Sequence, residues 1–245
     1  MTEAEWLERG DPGPMLAWLG DKVSERKLRL FAVACCRDAW GAPLAEGETV
    51  HHALRVGRRL LTACERHADG AVSDQELAAS RAEAEAARRS PLPGEGPFDL
   101  ELRWASRAAG PPAELLALPA GLRAEYADWW GGMFTFYGGT GEEWQQYHDQ
   151  GLEAISLRQC QLLRDVFDNP FRPVALNRAW LSWEGGTVTK LAAAVYEERV
   201  FDRLPILADA LEEAGCAEAE LLTHLRGPGP HVRGCWALDL LLGKA

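Results

Sequence analysis

Ser24-Glu-Arg-Lys-Leu28-Arg-Leu-Phe31-Ala-Val-Ala-Cys35-Cys36-Arg37 is the stretch on which the fold class turns. Ser24 is a residue type that caps helix N-termini, and Leu28, Phe31 and Cys35 recur at the spacing that lines up side chains on one helical face, with Trp40 a further candidate for it. Arg26, Lys27, Arg29 and Arg37 fall mostly elsewhere, so the segment reads as an amphipathic helix with a basic outer side. The same grammar extends in both directions. Upstream, Asp11-Pro12 is a cap followed by proline at the first helical position, opening a short helix through Met15, Leu16, Trp18 and Leu19. Downstream, Glu48 to His67 repeats the pattern through Val50, Leu54, Leu60, Leu61 and Cys64, then stops at Asp69-Gly70 as a glycine C-cap requires. Ser73-Asp-Gln-Glu76 is a capping box, and the Ala/Glu/Arg run to Arg89 predicts a surface helix.

Pro91, Pro93, Gly94, Gly96 and Pro97 form the clearest linker and set an expected boundary near residues 90 to 97, while Gly110-Pro111-Pro112 is a second interruption. Trp129 to Gly141 departs from its surroundings, with five aromatic and five glycine residues in thirteen positions. Its alternation at Met133 to Tyr137 fits one short strand or an aromatic loop. Glu142 to Phe167 returns to a long helical pattern ending before Asn169-Pro170. Val188 to Tyr196, Leu204 to Glu213, Ala217 to Leu225 and Cys235 to Leu242 read as short helices. The expectation is an all-α chain, a multi-helix bundle or an irregular helical-repeat-like array, with an aromatic Gly-rich loop or short strand near 129–141. Its regions are 1–90, 91–141 and 142–245, or these together form one compact domain.

With 245 residues, 47% of them hydrophobic, the chain can bury a core without disulfide staples. The six cysteines are scattered through helical sequence, which favours reduced thiols. The acidic start Met-Thr-Glu-Ala-Glu-Trp-Leu-Glu-Arg lacks the cationic and apolar parts of an export signal, and the apolar runs are short, so the expectation is a soluble cytoplasmic protein with no membrane association. A net charge of −11 disfavours nucleic acid, although residues 22–66 carry nine basic against five acidic groups. That excess reads as a solvated face, as a dock for the acidic half of the chain, or as a site for an acidic partner.

Chemistry concentrates at the end, in Gly227-Pro-Gly-Pro-His231-Val-Arg233-Gly-Cys235-Trp236. Cys216, His224, His231 and Cys235 supply two thiols and two imidazoles, a set that tetrahedral zinc accepts, although no tight Cys-x-x-Cys knuckle fixes the ion. Buried structural cysteines are the plainer reading, with Trp236 and Leu238 packed inward and Arg233 reaching a carboxylate or the carbonyls of a preceding helix end. A nucleophilic arrangement would use Cys235 as thiolate, His231 as base and Asp239 or Asp209 to orient it. Arg233 and the start of a helix would then lower the thiol pKa. Glu48-x-x-His51 lacks the second copy that a di-iron bundle needs. Gly138-Gly-Thr-Gly141 lacks the Lys-Ser/Thr of a phosphate loop and reads as a turn capping the next helix through Thr140.

Leu162-Leu-Arg-Asp165-Val-Phe-Asp-Asn169-Pro170-Phe171-Arg172-Pro173-Val174, Phe201-Asp-Arg-Leu-Pro205-Ile-Leu-Ala-Asp209-Ala-Leu-Glu-Glu-Ala-Gly215-Cys216 and the His231-Val-Arg-Gly-Cys-Trp236 ending resemble a large group of paralogous proteins of planctomycete bacteria. Trp6, Asp11-Pro12, Ser24 to Phe31 and Cys35-Cys36-Arg37 are similar to the same group's start. The resemblance covers both ends of the chain and implies no activity, ligand or partner. Trp129 to Gly141 departs from it, an alanine-rich helical stretch being more usual there.

Two function classes follow. The first is a non-enzymatic interaction or scaffold module that binds a protein partner or a second copy and has no cofactor. Its contact residues would be Arg26, Lys27, Arg29, Arg58 and Arg59 with Trp129, Trp130, Phe134, Phe136 and Tyr137. The alternative is a zinc- or thiol-dependent enzyme or sensor built on the C-terminal Cys/His cluster. It stands or falls on whether those side chains converge.

Overall fold

The computed structural model describes residues 1–39, 52–89, 99–136 and 140–244. The first helix, α1, is Glu3–Glu8, followed by α2 (Pro12–Leu19), α3 (Glu25–Ala39), α4 (His52–Ala68), α5 (Asp74–Arg89), α6 (Asp99–Ala108) and α7 (Pro112–Phe136). The long α8 spans Gly141–Phe167, and α9 (Arg178–Ser182), α10 (Thr187–Glu198), α11 (Leu204–Glu213), α12 (Ala219–Arg226) and α13 (Trp236–Leu242) complete the series. The chain divides into two compact units, one of Arg9–Cys160 and one of Met1–Glu8 with Gln161–Ala245. The division falls inside α8, whereas the expected boundary stretch at 90–97 lies outside the described residues. All described regular elements are helical, so the chain is predominantly all-α. No described helix is long and apolar enough to cross a membrane.

In the unit of Arg9–Cys160, α3 packs against α4, α6 and α7, and α4 also packs against α5 and α6. Every residue from Leu28 to Cys36 is buried, including Arg29 at 3% exposure. The basic outer side expected for this helix is therefore partly a buried one. Neighbours on several sides leave α3 no wet face along that run. The Arg29 guanidinium is satisfied by donating to the Ala108 carbonyl at 2.9 Å and to Glu25.

The strand or loop expected near 129–141 is corrected up to Phe136, where the chain is helical as part of α7. A strand needs a neighbour to complete its hydrogen bonds, and no other strand exists among the described residues. A helix satisfies its backbone internally, so it proceeds through Gly131-Gly132 despite their low propensity. The side chains of Trp129, Trp130, Phe134 and Phe136, and the whole of Tyr137, lie outside the described residues.

In the other unit, α10 packs against α9, α11 and α13, and α11 packs against α12. Val188, Tyr196, Leu207, Leu211, Leu225 and Leu238 are among the side chains of its core, each fully buried. The C-terminal part of α8 contributes Leu162, Leu163 and Val166, also buried. Residues 1–8 belong here because Arg164 donates from Nε and Nη2 to the Trp6 carbonyl at 3.0 and 2.8 Å, and Asn169 Nδ2 donates to Glu3 at 2.8 Å. This unit carries every residue of the site below.

Candidate metal centre

Four side chains from distant points of the sequence meet in the C-terminal unit: Asp165, His224, His231 and Cys235, whose ligand atoms all lie within 4.8 Å of one another. Asp165 comes from α8, His224 from the last turn of α12, His231 from the following loop, and Cys235 is the residue that caps α13. Three of the four expected residues are thus brought together. Cys216 is outside the group, buried in the apolar core just beyond α11, with its N–H donating to the Leu211 carbonyl at 2.9 Å. Asp165 stands in its place.

The loop that delivers His231 is shaped by the glycine and proline run before it. Gly229 has φ +89°, and a Cβ there would sit 2.8 Å from the His231 backbone nitrogen and 3.2 Å from the imidazole Cδ2. Only glycine allows the chain to double back this closely. The His231 ring then has one nitrogen on each side. Nε2 faces the Gly227 carbonyl at 3.1 Å, and Nδ1 faces Asp165 Oδ1 at 3.1 Å. A carbonyl only accepts, so Nε2 carries the hydrogen. In the neutral ring Nδ1 is then a lone pair turned toward the carboxylate.

His224 Nε2 lies 3.2 Å from Asp165 Oδ1 and 3.1 Å from Cys235 Sγ. The other carboxylate oxygen, Oδ2, accepts from the Val232 N–H at 3.0 Å, which turns Oδ1 toward the histidines. Trp236 covers the His224 ring with centroids 4.9 Å apart. The outer atoms of Asp165 and His231 are thereby held by backbone groups, while Oδ1, Nδ1, Nε2 and Sγ point at one another.

Burial dominates the electrostatics. It pushes the Cys235 thiol well above its ordinary pKa, and the neighbouring Asp165 charge adds to this, while the amides of Ala237 and Leu238 oppose it. The low thiol pKa expected from Arg233 and the helix start is corrected accordingly. Arg233 lies instead over the Tyr196 ring at 4.4 Å and pairs with Glu197 at 3.3 Å, the carboxylate being one of the two partners expected for it. For Asp165, burial favours the neutral acid, but the hydrogen bonds and charge of His224 and His231 outweigh it and hold the carboxyl below its usual range. His231 is likewise penalised by burial, and Asp165 together with the Gly227 carbonyl holds its pKa above the usual imidazole value.

The expected nucleophilic arrangement also differs in its partners. The histidine against Cys235 is His224, not His231, and the carboxylate is Asp165. Asp209 pairs with Arg226 at 2.7 Å on the surface, and Asp239 is buried within α13. A relay requires base and orienting acid on opposite nitrogens of one ring. Here sulfur and carboxylate share the same Nε2.

Elsewhere, Thr140 caps α8 as expected, its Oγ1 accepting from the Glu143 N–H at 3.3 Å. Gly138 and Gly139 lie outside the described residues, as do Glu48 and His51. Arg26 pairs with Asp69 at 3.0 Å and Arg59 with Glu83 at 2.6 Å. Lys27 is half-buried on α3, and Arg58 and Arg59 line a shallow surface cavity with Arg66. No family model, no curated protein and no solved structure matches the chain.

Proposed function

We propose that the C-terminal unit is a zinc-binding module whose ion is held by Asp165, His224, His231 and Cys235. The supporting observation is the convergence of Oδ1, Nε2, Nδ1 and Sγ within 4.8 Å. With zinc to nitrogen or oxygen at about 2.0–2.2 Å and to sulfur at about 2.3 Å, a tetrahedron has donor-to-donor edges of about 3.3–3.6 Å. Three of the six edges measure 3.1, 3.2 and 3.1 Å, within a few tenths of an ångström of that length, and the other three lie within 4.8 Å.

The donor chemistry supports the same reading. One thiolate, two imidazoles and one carboxylate suit zinc, and a doubly charged cation is balanced by Asp165 and an ionised Cys235. The hydrogen bond from His231 Nε2 to the Gly227 carbonyl is the outer partner that orients an Nδ1-ligating histidine. Such an ion ties α8, α12, the 227–235 loop and α13 together.

Catalysis by the thiol itself finds no support in a sulfur that is fully buried and has a raised pKa. Docking of a partner on the basic residues is also less well supported, since Arg26, Arg29 and Arg59 already face carboxylates of the same unit. The test is competition between the purified full-length chain and a chromophoric zinc chelator. One tight site per chain is expected, weakened at least a hundredfold in Asp165→Asn and Cys235→Ser, the scale of losing a ligand, and unchanged in Cys216→Ser. Wild-type protein that takes no zinc from the chelator overturns the proposal.

A further inference from the structure

The zinc reading leaves the Arg9–Cys160 unit without a role, and there α4 presents two different faces. Ala53, Val56, Leu60, Leu61 and Cys64 are buried, and the helix packs on α3, α5 and α6. Arg55, Arg59, Thr62 and Arg66 are all exposed and recur at steps of four, three and four residues, which sets them on one outward stripe. Beside the stripe runs a trough of about 620 Å³ between α4 and α5, whose lining includes the small side chains Ala63 and Ala79 and the guanidinium groups of Arg58, Arg59 and Arg66. We infer that this trough docks an extended acidic peptide segment of a partner protein, with carboxylates at alternate positions meeting the arginines.

Charge selects the occupant. The lining holds three arginines against one carboxylate, Glu76, and the acids around it are already engaged. Glu83 pairs with Arg59 at 2.6 Å, Arg37 holds Glu65 at 3.0 Å, and Arg26 holds Asp69 at 3.0 Å. Glu76 is occupied by the Ser73 N–H at 2.8 Å, and Arg66 adds its charge there. Arg55 and Arg58 form no ion pair with any described residue, so they are the two cations left to answer an incoming anion. Length fits as well. Arg55 to Arg66 is eleven residues of helix, about 16 Å, which an extended chain covers in about five residues with alternate side chains on one face. Alternate carboxylates then stand about 6.6 Å apart, close to the rise of about 6 Å between Arg55 and Arg59. The hydroxyls favour a carboxylate over a phosphate, because Thr62 and Ser80 already donate to the carbonyls of Arg58 and Glu76 at 3.0 Å each. A net charge of −11 opposes a long polyanion or an anionic membrane, whose charge extends beyond the stripe, whereas a short peptide feels the local field.

Fluorescence anisotropy of a rhodamine-labelled Glu-Ser-Glu-Ser-Glu peptide, titrated with the full-length protein at low ionic strength, tests this. A saturable rise is expected, with none for the Lys-Ser-Lys-Ser-Lys counterpart. Arg55→Glu and Arg58→Glu should each weaken binding about tenfold, and added salt should weaken it in the wild type. Arg178→Glu, an exposed charge change in the other unit, should leave it unchanged. Arg55 is exposed and Arg58 half-buried, so if Arg58→Glu lowers the melting temperature the Arg55→Glu result decides. No saturation by the acidic peptide at about millimolar protein, or equal affinity in wild type and Arg55→Glu, overturns the inference. Tighter binding of phosphatidylserine vesicles or of a DNA duplex through the same arginines names a different occupant and overturns it too.

Discussion

Asp165 stays ionised in a buried position because two imidazoles and the Val232 amide stabilise its charge, and the same contact holds the His231 pKa above its usual value. The consequence appears when metal is removed. His231 has a folded-state pKa above its unfolded value of about 6.5, so its contribution is complete below that pH and is lost as the pH rises through the raised value. Asp165 has a lowered pKa, so its contribution is present above the ordinary carboxylate range and is lost as the pH falls through the lowered value. Thermal melts of chelator-treated protein from about pH 5 to about pH 8, below the range in which the thiols of the unfolded chain ionise, should therefore show wild type losing stability toward the alkaline end, with His231→Gln flattening that limb. An unchanged alkaline slope in His231→Gln contradicts the assignment. His231, His224 and Cys235 stand out in the sequence because they cluster near a rigid Gly-Pro-Gly-Pro run. Asp165 lies 59 residues before His224, and only one signal marks it: a carboxylate among Leu162, Leu163 and Val166 on an apolar helical face. A buried acid there needs a partner, and the sequence carries no distance information to say which.

Helix ends were the most legible elements, because a cap is a local event. Ser73 and Glu76 form the expected box, with the Ser73 N–H donating to Glu76 Oε2 at 2.8 Å and the Glu76 N–H donating to Ser73 Oγ at 3.3 Å. Thr140 and Glu143 repeat it at α8. Replacing Ser73 by Ala should cost about 1 kcal/mol, read as a lower midpoint in urea with an unchanged slope. No change in midpoint contradicts a stabilising role for the box. Burial was less legible than helicity. Residue type points the face of α3 carrying Arg29 outward, but α4, α6 and α7 all pack on this helix and bury it. The path of α7 through 129–136 is hidden in the sequence for a related reason. Aromatic and glycine composition lowers helix propensity, and propensity yields when the described residues offer no second strand to complete a sheet.

On the scale of the whole molecule, the helical class followed from repeated caps and periodicity, whereas the grouping of residues 1–8 with 161–245 depends on contacts between the ends of the chain that no local pattern encodes. The zinc ligands all belong to that one unit, so metal should act on the units unequally. Chelation is expected to speed amide exchange in residues 161–244 and to leave residues 9–89 unchanged, as followed by hydrogen-exchange mass spectrometry. Equal acceleration throughout contradicts a local clamp. The most direct measurement is zinc-edge X-ray absorption on the full-length, zinc-loaded protein. The account predicts one sulfur at about 2.3 Å and nitrogen or oxygen donors at about 2.0–2.2 Å, with the sulfur lost in Cys235→Ser and kept in Cys216→Ser. A shell of oxygen and nitrogen alone in the wild type, or two sulfurs, contradicts it.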